Sequence, residues 1–335
     1  MLVWHRYLER KEALLAAESD PVKIARAAEV GVDLLVPGAD PDDFAALLEY
    51  TRRAVDSADT YFAVPNTIKF NRTSSQLSFP TPVDGLSPGP NETAHAIFFE
   101  AKNCDKAVVL LPHWNSDLVG YRTFGRALAY YGISCLQLVL PYHGQRQTPG
   151  VGFAMELVSE NLSLTIQSNR QAIIEARACL AWLKAEGYRQ LGVIGVSIGS
   201  SIASIVAALE PEVKAVALLL MADDFAEVVW TGSATTHVKN SLCRRFTLEQ
   251  VCSCWSVISP RTYAARLKRN ILIVSGILDT VFIPELTRKY VTRLTDLRLQ
   301  PRWVRLGCGH YTLAVPPYSW IAFLRTLLHL RKNMG

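Results

Sequence analysis

One short stretch of this 335-residue chain constrains its fold more than any other: residues 195–199 read Gly-Val-Ser-Ile-Gly, the pattern G-x-S-x-G. Residues 191–195 are apolar and predict a buried parallel strand, and residues 200–209 predict a helix packed on the sheet. A serine at such a corner projects its hydroxyl from the sheet, and glycines two positions away avoid collisions with neighbouring backbone. The N–H of Ile198 and the helix N-terminus would then face a developing oxyanion. Tight packing without chemistry is the competing explanation of this pattern.

Strands and helices are predicted to alternate on both sides of this corner. The pattern predicts helices at 121–131, 166–187, 285–295 and 320–327, and strands at 92–101, 107–111, 135–140, 215–221, 271–275 and 302–306. This order predicts an α/β fold, with a mostly parallel central sheet and helices on both of its faces. The length, with half of the residues hydrophobic, is ample for one large core.

The N-terminal part shows no strand pattern. We predict a helical N-terminal extension over residues 1–74, ahead of an α/β domain over 75–335 with strands from near Ser75. Leu8, Leu14 and Leu15 mark a short amphipathic segment, and Asp40 and Pro41 are predicted to open a second helix as N-cap and first helical residue. The sequence leaves open whether this part is a flank or an oligomer contact, and it does not indicate the oligomeric state.

Two later loops carry the partners that a nucleophilic serine needs. Asp279 follows the predicted strand 271–275, and His310 lies in a Gly-Cys-Gly-His-Tyr loop after strand 302–306. The C-terminal ends of parallel strands share one edge of a sheet, so these side chains are expected beside Ser197. His310 would take the serine proton, and Asp279 would orient the imidazole. Asp223 and Asp224 also follow a strand and remain alternatives to Asp279 as the acid, although we favour Asp279. The non-catalytic alternatives are that His310 is only a loop histidine and that Asp279 is only a turn residue.

These three motifs, in the order Ser, Asp, His, resemble the α/β-hydrolase superfamily over roughly residues 75–332. Residues 141–146, Pro-Tyr-His-Gly-Gln-Arg, resemble a loop of its dienelactone-hydrolase-like and peptidase-like esterases, in which the role is structural, so His143 is not predicted to be catalytic. The resemblance implies a Ser197–Asp279–His310 triad, an acyl-enzyme, a small-molecule ester substrate and no metal or organic cofactor. Thioesterases, peptidases, amidases and acyltransferases share the triad, and a non-catalytic binding protein could keep the fold. A serine nucleophile argues against the dehalogenase and epoxide hydrolase branches, which use aspartate.

The superfamily takes its second oxyanion donor from the loop after the strand at 107–111. Here that loop reads Pro-His-Trp-Asn-Ser and departs from the His-Gly-Gly-Gly form of many lipases. The backbone N–H of Trp114, together with that of Ile198, is the predicted oxyanion hole, and His113 and Trp114 are predicted substrate contacts. The alternatives are that His113 supports the loop and that Trp114 covers the edge of the core.

Residues 223–268 are more than a single crossover helix needs, and a lid is often inserted there in the superfamily. The large aromatic side chains in this segment are Trp230, Phe246, Trp255 and Tyr263. They could line an acyl pocket or fill the core, and the sequence favours neither alternative.

Composition and charge argue against several other classes. The net charge is +5, but the basic residues are scattered, so nucleic acid is not expected as a partner. The longest apolar run, residues 215–222, is too short to span a bilayer, and the first residues do not read as a signal peptide, so a cytoplasmic protein is expected. The seven cysteines form no disulfide framework. His237, Cys243, Cys252 and Cys254 match no zinc spacing, so no metal is expected.

Overall fold

The computed structural model describes residues 2–19, 26–83, 89–268 and 270–335. Within them, one sheet has the strand order β1-β2-β3-β5-β4-β6-β7-β8-β9. Its strands are β1 Asn71–Thr73, β2 Gln76–Pro80, β3 Thr93–Phe99, β4 Lys106–Leu111, β5 Ser134–Val139, β6 Gln190–Val196, β7 Val213–Leu219, β8 Ile271–Gly276 and β9 Arg302–Leu306. The pairs β5–β4, β4–β6, β6–β7, β7–β8 and β8–β9 are parallel. The pairs β1–β2, β2–β3 and β3–β5 are antiparallel. The predicted mostly parallel sheet is therefore confirmed.

Helices cover both faces of this sheet. They are α1 Leu2–Ser19, α2 Phe44–Asp56, α3 Ala58–Tyr61, α4 Val119–Tyr130, α5 Leu162–Ala185, α6 Ile198–Leu209, α7 Phe225–Thr231, α8 Thr236–Leu242, α9 Leu248–Cys254, α10 Pro260–Tyr263, α11 Pro284–Asp296 and α12 Tyr318–Asn333. Alternate side chains of a strand face opposite sides. Val109 of β4 accordingly packs in the core beneath α5, α6 and α11, whereas Val108 packs in the core beneath α4 and α12.

Helix α2 shares the main core with the sheet. Its Leu47 and Ala54 are buried in the same apolar cluster as α5 and α6, and Thr51 Oγ1 donates a hydrogen bond to the carbonyl of Cys254 at 2.9 Å. Part of the predicted extension, residue 1 and residues 20–25, lies outside the described residues. The division of the chain at residue 74 stays a prediction, and the first strand begins at Asn71, shortly before Ser75.

The predicted start of the second helix is wrong. Helix α2 begins at Phe44, and Asp43 is its N-cap, because the Asp43 carboxylate accepts from the N–H of Ala46 at 2.9 Å. Asp40 instead accepts from the N–H of Asp42 at 3.0 Å, which closes a tight turn before the helix. Aspartate favours such turns as readily as caps, so the two uses look alike in sequence.

Three of the four aromatic residues named above in segment 223–268 fill the core. Trp255 is fully buried, and its Nε1–H donates to the carbonyl of Leu162 at 3.0 Å. Tyr263 is buried as well, and Phe246 stacks on Phe44 of α2 with a centroid separation of 5.5 Å. Trp230 is only partly buried. The lid itself stays a prediction, but these three buried rings pack where the second alternative places them.

Candidate active site

Ser197 occupies the corner between β6 and α6 in a strained backbone conformation. Its φ of 56° and ψ of −125° lie outside the regions that non-glycine residues favour, at a cost of about 1–3 kcal/mol. A methyl group on Gly195 would overlap the backbone of Gly199, and one on Gly199 would overlap the carbonyls of Leu111 and Pro112. The two glycines therefore let the serine turn, the start of α6 and the loop after β4 pack backbone against backbone.

The structure brings Ser197, His310 and Asp279 into one chain of hydrogen bonds. Ser197 Oγ lies 3.0 Å from His310 Nε2, and His310 Nδ1 lies 2.9 Å from Asp279 Oδ2. When Nδ1 carries the ring proton and donates it to Asp279, Nε2 presents a lone pair to the serine hydroxyl. This tautomer is the one that a general base needs.

Backbone groups fix the Asp279 carboxylate. Its Oδ1 accepts from the N–H of Val281 at 2.8 Å and from the N–H of Phe282 at 2.7 Å. The Phe282 ring also stacks on the His310 imidazole, with a centroid separation of 5.4 Å and an interplanar angle of 26°. One short loop therefore orients both the carboxylate and the imidazole.

The two alternative acids are engaged elsewhere. Both carboxylate oxygens of Asp223 accept from Arg293, each at 2.8 Å. Asp224 caps α7 by accepting from the N–H of Glu227 at 3.1 Å and lies 2.7 Å from the Nε of Arg261. Burial raises the pKa of Asp224 despite the opposing effect of Arg261. Of these three aspartates, Asp279 is the one bonded to His310.

The loop after β4 is held by its own hydrogen bonds. The N–H of His113 donates to Tyr121 Oη at 3.1 Å, and the N–H of Asn115 donates to His143 Nε2 at 2.8 Å. Trp114 Nε1–H donates to the carbonyl of Ala154 at 2.7 Å. The backbone N–H groups of His113 and Asn115, the residues on either side of Trp114, are therefore hydrogen-bonded to nearby side chains. Ile198 is the first residue of α6, so its N–H precedes the hydrogen-bond ladder of the helix.

The side chain of His143 supports this loop by accepting a hydrogen bond from it. Its buried ring donates from Nδ1 to the carbonyl of Pro141 at 2.8 Å, which leaves Nε2 as the acceptor for Asn115. Burial lowers the pKa of His143 to about 4, so the ring stays neutral near pH 7. These contacts give His143 the supporting position that was expected of it.

His113 faces solvent on one side and protein on the others. Its Nδ1 lies 2.6 Å from Tyr121 Oη, and the Tyr121 hydroxyl accepts the backbone N–H of His113, so it can donate to Nδ1. Enclosure by protein atoms, with a smaller effect of the nearby His310, lowers the pKa of His113. The Trp114 ring lies parallel to that of His237 in α8, with a centroid separation of 6.4 Å.

Like Phe282, Glu12 contacts the histidine loop without having been predicted from the sequence. Glu12 of α1 is buried, and its carboxylate accepts from the N–H groups of Tyr311 and Thr312 at 2.9 and 2.8 Å. A signal was present, because Glu12 lies four residues after Leu8 and three before Leu15, on one face of a helix.

In the described parts of the chain, no three His, Cys, Asp or Glu side chains form a group able to hold a metal ion. Among the same residues, no helix is both long enough and apolar enough to cross a membrane.

Solved structures with the same fold include several hydrolases. Acetyl xylan esterase 1 from Thermoanaerobacterium sp. JW/SL YS485 has a TM-score of 0.62 at 18% identity, covering 95% of this chain and 98% of its own. The Pyrococcus horikoshii acylaminoacyl peptidase has a TM-score of 0.58 at 12% identity, covering 79% of this chain and 41% of its own. A cold-adapted esterase from an Arctic intertidal metagenomic library reaches 0.53 at 17% identity, covering 82% of this chain and all of its own. At these identities the likeness establishes the fold.

Comparison at the sequence level gives the family. The uncharacterized protein Rv2627c of Mycobacterium tuberculosis (strain ATCC 25618 / H37Rv) is 28% identical over 183 residues, which are 53% of this chain and 42% of that protein. The chain therefore matches less than half the length of this relative. The sequence model of the family "Alpha/beta hydrolase domain containing 18" matches residues 85–252, half of the chain and including the serine corner. The protein therefore belongs to the alpha/beta hydrolase domain containing 18 family, within the α/β-hydrolase superfamily.

Proposed function

We propose that this protein is a serine hydrolase that cleaves carboxylic esters through an acyl-enzyme on Ser197. The observation that carries the proposal is the hydrogen-bonded series of Ser197 Oγ, His310 Nε2, His310 Nδ1 and Asp279, with the serine on a strained strand-to-helix corner. A serine hydroxyl is a weak nucleophile at neutral pH, and a base within 3.0 Å activates it.

Each bonded group has a step in this mechanism. Ser197 Oγ attacks the carbonyl carbon while His310 Nε2 takes the hydroxyl proton, and the carbonyl electron pair moves onto oxygen. The N–H groups of Ile198 and Trp114 are the proposed donors to this oxyanion. Collapse breaks the bond to the alcohol, which leaves with the proton from His310. Water, deprotonated by His310, then attacks the acyl-enzyme, and release of the acid returns the proton to Ser197.

Asp279 keeps His310 in the required tautomer throughout and stabilises the imidazolium that forms after each proton transfer. Its two backbone N–H partners hold it in place. The strained backbone of Ser197 lowers the stability of the fold, as is common where a functional side chain must be held in one orientation.

Esters are the proposed substrates for two reasons. Two of the three fold relatives named above are described as esterases, although fold alone does not fix the reaction. The proposed substrate contacts, His113 and Trp114, lie on the loop that packs against Gly199 of the serine corner. They also suit a neutral substrate, because tryptophan is uncharged and the lowered pKa of His113 favours its neutral ring. Because three of the aromatic rings of segment 223–268 are buried in the core, the acyl site is expected to be short.

Trp114 also connects segment 223–268 to the site. Its ring lies parallel to His237 of α8, so α8 is the part of that segment that we propose as a cover over the acyl site. The thioesterase and peptidase alternatives use the same triad, and the acylaminoacyl peptidase shares the fold. Substrate competition therefore has to decide between them.

A series of p-nitrophenyl esters from acetate upward tests the proposal, with a peptide amide and an acyl-CoA as comparators and Ser197→Ala as the control. Each methylene that fits is expected to contribute about 0.8 kcal/mol, close to fourfold in kcat/KM, up to a maximum at short or medium chains. Preference for the amide or the thioester by more than about tenfold in kcat/KM would replace the esterase assignment by a peptidase or a thioesterase.

A further inference from the structure

We propose that Glu12 of helix α1 is a positioning residue for His310, so that the N-terminal helix is a working part of the active site. This inference rests on the proposed role of His310 as the base for Ser197. It concerns a contact between residues almost at opposite ends of the sequence, and no motif of the catalytic loops points to it.

The Glu12 carboxylate receives three hydrogen bonds from the histidine loop. Oε1 accepts from the N–H of Tyr311 at 2.9 Å, and Oε2 accepts from both the N–H and the Oγ1–H of Thr312, each at 2.8 Å. Thr312 Oγ1 in turn accepts from the N–H of Gly309 at 2.8 Å. The residue before His310 and the two after it are therefore all tied, directly or through Thr312, to one carboxylate.

These hydrogen bonds to Glu12 hold the histidine loop in place. Glu12 is 6% exposed, and burying a carboxylate is costly unless hydrogen bonds satisfy it. Hydrogen bonds to an ionised acceptor are shorter and roughly twice as strong as neutral ones. An apolar side chain would cover the loop at lower cost, but it would leave the two backbone N–H groups without this acceptor.

The burial pattern of α1 agrees with this role. Leu8, one turn before Glu12, is 5% exposed, whereas Leu14 is 66% exposed. The predicted amphipathic set of Leu8, Leu14 and Leu15 is therefore wrong at Leu14. The inward face of α1 runs through Leu8 and Glu12, and it places a charged group, rather than a leucine, against the histidine loop.

Gly309 shows how closely the two parts fit. A methyl group at this position would overlap the Glu12 carboxylate, and the three nearest atoms it would meet all belong to Glu12. The backbone of Gly309 does not have a positive φ, so alanine is compatible with its conformation. Alanine there would displace Glu12 and break the same contacts from the opposite side.

The test uses the full-length protein with Glu12→Ala, Gly309→Ala, the double variant and Glu12→Gln, plus Glu18→Gln as a matched control on the exposed side of α1. The assays are steady-state kinetics with p-nitrophenyl acetate and the rate of labelling by a fluorophosphonate probe. A misplacement of about 1 Å costs on the order of 100-fold in rate. We therefore expect Glu12→Ala to lower kcat and the labelling rate about 10- to 100-fold, with KM unchanged.

Three further results are expected. Gly309→Ala lowers both rates alone but adds nothing in the Glu12→Ala background, because the collision is then absent. Glu12→Gln, which keeps one acceptor oxygen, lies between the wild type and Glu12→Ala. Glu18→Gln matches the wild type. Unchanged rates in Glu12→Ala, a change in KM alone, or additive effects in the double variant would overturn the proposal.

Hydrogen exchange separates this proposal from the proposed function. The N–H groups of Tyr311 and Thr312 should exchange slowly in the wild type and faster in Glu12→Ala, whatever the enzyme hydrolyses. If the wild type fails to label at Ser197, the proposed function is wrong. If it labels and Glu12→Ala labels equally fast, the role of Glu12 is wrong. Should Glu12→Ala not fold, Glu12→Gln and Gly309→Ala carry the same comparison.

Discussion

Replacing Asp279 by asparagine is predicted to lower kcat by about three to four orders of magnitude, and the hydrogen bonds around the carboxylate explain the size of the loss. The N–H groups of Val281 and Phe282 both point at Oδ1, at 2.8 and 2.7 Å. In Asp279→Asn the amide oxygen must stay there, because the NH₂ group cannot accept a hydrogen bond. The NH₂ group therefore takes the position of Oδ2, which at 2.9 Å is the closer oxygen to His310 Nδ1. Oδ1 lies 3.1 Å from the same nitrogen, but it already accepts from two backbone N–H groups.

An NH₂ group at that position reverses the hydrogen bond to the imidazole. It donates to Nδ1, so the ring proton of neutral His310 moves to Nε2 and faces Ser197 Oγ at 3.0 Å. A protonated Nε2 cannot take the serine proton. In the serine protease template this tautomer error costs about 10⁴ in kcat, and the corresponding loss of transition-state stabilisation is about 5 kcal/mol.

The assay is steady-state hydrolysis of the best p-nitrophenyl ester by wild type, Asp279→Asn and Asp223→Asn at neutral pH. Asp223 pairs with Arg293, away from the imidazole, so its variant should show a far smaller change in kcat. A loss below about tenfold in Asp279→Asn, or a larger loss in Asp223→Asn, would refute the assignment of the acid.

Two further predictions concern the stability of the fold. Burial lowers the pKa of His143 to about 4, below its unfolded value, so its neutral form stabilises the fold above pH 6.5, and this stability falls as the pH approaches 4. Between pH 7 and 4.5, the free energy of unfolding of His143→Gln, measured with denaturant, should therefore fall by about 2 kcal/mol less than that of the wild type. Equal losses would show that His143 is not buried in its neutral form. Trp255→Ala should lower the free energy of unfolding by about 3–5 kcal/mol, measured with urea, whereas a lid position would leave it nearly unchanged.

Much of the site is visible in the sequence because its geometry depends on local rules. The turn at Ser197 needs glycine two positions away on each side, and the structure shows backbone atoms at both positions where a methyl group would lie. Asp279 and His310 follow parallel strands, and strand direction alone carries them to the same edge of the sheet. These requirements leave short motifs that can be recognised without knowing the packing.

Other features are not decided by a local motif, and two of the three below depend on packing between distant segments. Asp43 rather than Asp40 caps α2, although both are acceptable by residue type. Trp255 could have lined a pocket or filled the core, and only its burial against α5 decides between them. Glu12 shares a predicted helix face with Leu8 and Leu15, but the sequence does not show what it contacts until α1 is placed on the loop after β9.

The proposed nucleophile is Ser197, and the most direct test of this role is to map the covalent adduct of a fluorophosphonate probe. We expect one adduct per chain, on the peptide containing Ser197, and none in Ser197→Ala, whose thermal unfolding should remain close to that of the wild type. An adduct that persists in Ser197→Ala, or a wild-type protein that forms none, would show that Ser197 is not the nucleophile.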